Sequence, residues 1–135
     1  MIEEEILNLI EDVCKFRNIK YFDQKNKALL FCILKGHSYQ WMSTLSNDEA
    51  LCNNNYELCL QSMTMTENGF KTKARRDIFP MLETILGVKK VVDKVYCKKN
   101  KELIKTKLES IINEYAETKK TAILNFEKAA SVENF

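Results

Sequence analysis

Glycine and proline are almost absent from this chain, and their scarcity restricts the folds that it can form. The 135 residues include three glycines and one proline. A strand-rich domain of this size needs many tight turns, and tight turns need residues that adopt positive φ or preset a bend. We therefore expect an all-α fold of six or seven helices, joined by polar loops and packed around one core.

The length and composition are those of one globular domain. A chain of 135 residues lies in the usual size range of a single domain, and its 45% hydrophobic and 30% charged residues are ordinary for that class. We expect one helical domain over residues 1–135. The longest apolar run covers only residues 28–34, whereas a membrane-spanning helix needs about twenty residues. The sequence therefore predicts no membrane span.

The N-terminus and the cysteines indicate an intracellular, reducing compartment, either cytoplasm or nucleus. The first residues are acidic where a secretory signal would be basic. The five cysteines lie mostly in apolar stretches, where a free thiol behaves as a small buried hydrophobe. Lysine is much more common than arginine, which suggests an AT-rich genome such as that of a virus.

Hydrophobic periodicity and capping residues place several helices in the N-terminal half. Apolar residues recur at helical spacing over 2–17, and acidic residues occupy the first turn. Asp23 is a candidate N-cap and Gly36 a candidate C-terminal cap of a second helix, although the apolar run between them also suits a buried strand. A short helix is expected over 38–45. The Ser-x-x-Glu capping box at 46–49 predicts the start of another.

Residues 56–73 allow two interpretations. Asn68-Gly69 is a hairpin turn signal, which predicts a small β-hairpin near 58–73. The alternative is a loop followed by a helix that begins near Gly69. The sequence leaves both interpretations open.

The C-terminal half is predicted to be helical throughout. Asp77 is expected to cap a helix that has Pro80 in its first turn and ends at Gly87. Valines at helical spacing predict another helix over 88–96, with its lysines facing solvent opposite the valines. The longest helix begins near Lys101 and keeps an apolar stripe for about seven turns, longer than a domain of this size is wide.

Positive charge is concentrated in the second half of the chain. Residues 71–107 contain twelve basic and four acidic residues, a density that attracts anionic partners. A nucleic acid is one such partner. The alternatives are an acidic protein, a membrane head-group surface and a plain solvated face. The candidate nucleic-acid or anion-binding residues are Lys71, Lys73, Arg75, Arg76, Lys89, Lys90, Lys94 and Lys98.

The sequence contains no residue set that resembles a catalytic or metal site. His37 is the only histidine and no Cys-x-x-Cys pair is present, so a zinc site or a Cys–His dyad would need partners distant in sequence. A Gly-x-Gly loop for a nucleotide is also absent. We therefore expect a non-enzymatic protein that uses no cofactor.

Protein interaction is the function that these features favour. Tryptophan and tyrosine are enriched at the energetic centres of interfaces. The candidate protein-contact residues are Tyr39, Trp41, Tyr115 and Phe126. We expect an intracellular adaptor or an inhibitor of a partner protein, with a homodimer through the C-terminal helix as one arrangement. The alternative is a nucleic-acid-binding accessory protein that uses the basic region Lys71–Lys107.

Overall fold

Seven α-helices and one short 3-10 turn make up the described part of the chain in the computed structural model. The structure describes residues 1–20, 22–45, 48–89 and 91–133, with side chains as far as residue 126. The helices are α1 Ile2–Arg17, α2 Gln24–Lys35, α3 Tyr39–Leu45, α4 Asn55–Gln61, α5 over 67–86, α6 Lys94–Lys99 and α7 Lys101–Glu133. No β-strand occurs in these described ranges. The predicted all-α fold with a long C-terminal helix is confirmed.

Helix α2 is the centre of the hydrophobic core. Every side chain of residues 28–34 is buried, so the other helices surround this helix on all sides. Its ends match the sequence prediction. The Asp23 carboxylate accepts a hydrogen bond from the Asn26 N–H at 2.8 Å, and Gly36 ends the helix with φ of 87°. The interpretation of this run as a buried strand was wrong.

The predicted β-hairpin near 58–73 is also wrong, because these residues belong to α4, to α5 and to the loop between them. The Thr66 hydroxyl accepts a hydrogen bond from the Gly69 N–H at 3.1 Å. Thr66 is therefore the N-cap of α5, and Asn68-Gly69 lies in its first turn instead of forming a hairpin turn. The alternative interpretation, a loop followed by a helix, is confirmed from residue 62 onward, whereas residues 56–61 belong to α4.

A short 3-10 turn, Glu49–Leu51, stands where the capping box predicted a helix. The Asp48 carboxylate caps this turn by accepting a hydrogen bond from the Ala50 N–H at 3.0 Å. Ser46, the residue predicted to be the cap, lies outside the described residues. Helix α4 follows, with Asn54 as its N-cap.

Helix α5 continues through the position where a new helix was predicted to start. Its three parts are Glu67–Lys73, a π-helical segment Ala74–Ile78, and Phe79–Leu86. Pro80 lacks the N–H that would bond to the carbonyl of residue 76, and its ring crowds that carbonyl, so widening to a π turn lets the helix continue. Asp77 is therefore inside a helix and does not act as a cap.

The predicted helix over 88–96 was wrong, since α6 begins only at Lys94. The Asp93 carboxylate accepts a hydrogen bond from the Tyr96 N–H at 2.8 Å and so sets the start of α6. Upstream, the Val92 N–H donates to the Glu83 carboxylate at 3.0 Å, which holds the preceding segment in a non-helical path. Val92 is buried and Val91 is 77% exposed, so the valines do not form one inward stripe.

Helix α7 packs parallel to α1. Lys101 pairs with Glu3 at 3.1 Å and Lys105 with Glu5 at 2.8 Å, so both helices advance in the same direction. Ile104 and Leu108 enter the core between these pairs. Among the described residues, no helix combines the length and the apolar content that crossing a bilayer requires.

Candidate functional surfaces

The apolar stripe of α7 continues past the end of its packing partner. The ring of Tyr115 stacks on Phe16 with centroids 4.2 Å apart, and α1 ends one residue later at Arg17. All side chains of residues 113–126, which we call the projecting segment, are exposed. Phe126 is 75% exposed, and Ile123 and Leu124 are each 51% exposed. The predicted contact residues Tyr115 and Phe126 therefore lie on one uncovered helix.

The predicted basic residues fall into separate groups. Lys73 and Arg76 both pair with Asp77, at 3.4 Å and 2.9 Å, so much of their charge is neutralised within α5. The same two contacts, with that of Arg76 the larger, lower the pKa of Asp77 below its ordinary value. These two side chains are therefore weaker candidates for binding an external anion.

Arg75 and Lys94 lie close to Tyr39, and Lys98 follows Lys94 by one turn on α6; we call these four residues the Tyr39 surface. Lys94 Nζ lies 4.9 Å from the centre of the Tyr39 ring, in cation–π range. Burial raises the pKa of Tyr39 to about 12, and the nearby Arg75 guanidinium acts in the opposite direction. Lys98 crosses Gly36 so closely that a Cβ at position 36 would lie 3.0 Å from its Cε.

The other predicted basic residues lie apart from these groups. Lys71 is half-buried on α5, one turn before Arg75. Lys89 lines a cleft of about 460 Å³ with Val88, Tyr96 and Leu103. Lys90 lies outside the described residues. The seven of these residues that the structure describes therefore do not form one continuous basic face.

Trp41 is half-buried and packs against His37. Their rings are stacked with centroids 3.8 Å apart, and His37 Nε2 lies 3.9 Å from the buried carboxylate of Glu57. Burial lowers the pKa of His37 below its ordinary value, although Glu57 opposes this shift. The imidazole is therefore a packed, mainly neutral ring, and Trp41 is not a freely exposed anchor.

The cysteines are placed poorly for thiolate chemistry. Burial raises the pKa of Cys32 and that of Cys97 to about 12, and it also raises that of Cys14. A thiol with a raised pKa supplies little of the thiolate that acts as nucleophile. Within the described part of the chain, no group of His, Cys, Asp and Glu side chains is arranged to hold a metal ion.

The sequence could not predict which helices pair, although one signal was available. Acidic residues begin α1 and lysines begin α7, so opposite charges meet when the two helices run parallel. Leu124 is also exposed, but it lies on the far side of the projecting segment, outside the apolar stripe. Comparisons of this chain with protein-family models, with curated proteins and with solved structures found no match.

Proposed function

We propose that this protein is a non-enzymatic protein-interaction module that binds a second copy of itself through the projecting segment of α7. The observation that carries the proposal is the exposure of two apolar side chains of α7 beyond the end of α1, Ile123 at 51% and Phe126 at 75%. Five free cysteines support a reducing, intracellular site of action.

The projecting segment should be more stable when it packs against a partner than when it is an isolated helix. A helix without tertiary contacts is marginally stable in water, because propensity alone rarely offsets the entropy of ordering the backbone. Burying one phenylalanine side chain contributes about 1.5–3 kcal/mol. An interface that covers Phe126 and the stripe would therefore stabilise both the contact and the helix.

Charge complementarity favours a second copy as the partner. The projecting segment carries two acidic and two basic side chains, Glu114, Glu117, Lys119 and Lys120, so two copies do not repel each other. The second α7 takes the place that α1 fills in the first part of the helix.

The size of the contact predicts a weak dimer. Fourteen residues of helix extend about 21 Å, which is short for an interface of the usual 1,200–2,000 Å². We therefore expect a dimer dissociation constant in the micromolar range or higher.

Size-exclusion chromatography with light scattering tests this proposal over concentrations of about 5–500 µM. The expected result is a mass that rises from 15.8 kDa toward twice that value. A constant monomer mass at every concentration would overturn the homodimer.

A further inference from the structure

We propose that the Tyr39 surface binds the phosphate backbone of a nucleic acid, without reading its sequence. This site is separate from the projecting segment and does not depend on dimerisation. Its cations come from two helices: Arg75 from α5, and Lys94 and Lys98 from α6. The tertiary structure brings them to the first residue of α3.

The cations of this surface are unpaired, unlike the other basic groups near it. No carboxylate of the described residues lies within ion-pair distance of Arg75, Lys94 or Lys98, whereas Lys73 and Arg76 share Asp77. Unpaired positive charges held together repel one another, and a polyanion relieves that repulsion while releasing its own counterions.

One acidic residue, Asp93, is close enough to act on Tyr39. Its carboxylate accepts a hydrogen bond from the Tyr96 N–H as the N-cap of α6 and keeps its negative charge. Balanced against Arg75, Lys94 and Lys98, this one acidic residue leaves the surface with a net positive charge.

The composition of the surface favours backbone contacts over base recognition. Two of its three cations are lysines, which act as point charges, and bidentate recognition of guanine depends mainly on arginine. The surface also includes an aromatic side chain, and aromatic rings among cations are common where single strands bind. The half-burial of Tyr39 restricts it to the edge of such a contact.

Fluorescence anisotropy with a labelled 20-nucleotide single strand and the corresponding duplex tests the proposal at about 50 and 200 mM salt. Neutralising about three phosphates predicts an affinity that falls by roughly 40-fold for the duplex and roughly 20-fold for the single strand between these conditions. Comparison of the two titrations shows whether the protein prefers single-stranded or double-stranded nucleic acid. Absence of binding to both at the lower salt would overturn the proposal.

Matched charge variants locate the binding. The triple variant Arg75→Glu, Lys94→Glu, Lys98→Glu is expected to abolish binding. The control Lys15→Glu, Lys20→Glu, Lys25→Glu makes the same charge change at exposed lysines outside both proposed surfaces and is expected to lower affinity far less. Equal losses in both would overturn the site, because they would mean that binding follows net charge alone.

A milder variant protects the test against misfolding. Arg75→Gln, Lys94→Gln, Lys98→Gln removes the charges without adding repulsion, and circular dichroism checks that its helices form. We expect at least a tenfold loss of affinity and a shallower dependence on salt. A folded glutamine variant that binds like the wild type, with the same dependence on salt, would overturn the proposal.

Discussion

The ring of Phe16 lies parallel to that of Tyr115, with the centroids 4.2 Å apart and the planes inclined by 6°. Phe16 is in the last turn of α1, so this stack lies where α1 ends and α7 continues alone. It therefore separates the part of α7 that belongs to the core from the projecting segment.

Replacing Tyr115 with alanine should loosen α7 at this boundary. Loss of the stack is expected to cost about 1 kcal/mol of unfolding free energy. Amide hydrogens just beyond position 115 should exchange faster, which mass spectrometry measures directly. Tyr115→Phe keeps the ring and should behave like the wild type. Equal exchange in the alanine variant and the wild type would contradict a clamping role for the stack.

The two ion pairs between α1 and α7 should differ in strength, in the opposite order to their lengths. Glu3 is nearly buried, so Lys101→Met leaves a carboxylate without its partner and should cost about 1–3 kcal/mol. The Glu5–Lys105 pair is shorter but half-exposed, so water screens it, and Lys105→Met should cost much less. Urea unfolding of the two variants measures the difference. A larger loss for Lys105→Met would contradict the ranking by burial.

His37 should make stability fall as the pH drops below neutrality. Burial lowers the pKa of His37 below its ordinary value of 6.5, with Lys35 of α2 adding to the shift and Glu57 of α4 opposing it. His37 therefore takes up a proton more readily in the unfolded chain than in the folded chain. The free energy of unfolding then declines as the pH falls from about 6.5 toward the lower pKa of the folded state. His37→Gln should flatten the melting-temperature profile in that window.

A second loss of stability in acid should survive the His37 substitution. Burial tends to raise the pKa of Glu3, but hydrogen bonds from its own backbone N–H and from Lys101 outweigh that effect and hold the pKa below 4.5. A carboxylate with a lowered pKa stabilises the fold above its ordinary value, and this contribution is lost as the pH falls below about 4.5. If the melting temperature of the wild type did not change between pH 7 and 5, the role given to His37 in the preceding prediction would be contradicted.

Local signals in the sequence predicted most of the helices, but they could not predict which residues meet in the tertiary structure. Asp23 and Gly36 mark the ends of α2 because caps act through hydrogen bonds to residues within the same turn. Asn68-Gly69 led to the wrong prediction of a hairpin, because the Thr66 side chain caps a helix there and the pair lies in the first turn of that helix. The approach of Lys94 to Tyr39 joins residues far apart in sequence, and periodicity carries no information about such pairs.

The central claim is that the stripe of the projecting segment, and no other side of it, binds a second copy. Phe126→Glu and Leu124→Glu introduce the same charge two residues apart, on opposite sides of one exposed helix. Sedimentation velocity at high protein concentration compares them with the wild type. The account predicts that Phe126→Glu remains a monomer while Leu124→Glu dimerises as the wild type does. Equal behaviour of the two variants would contradict it.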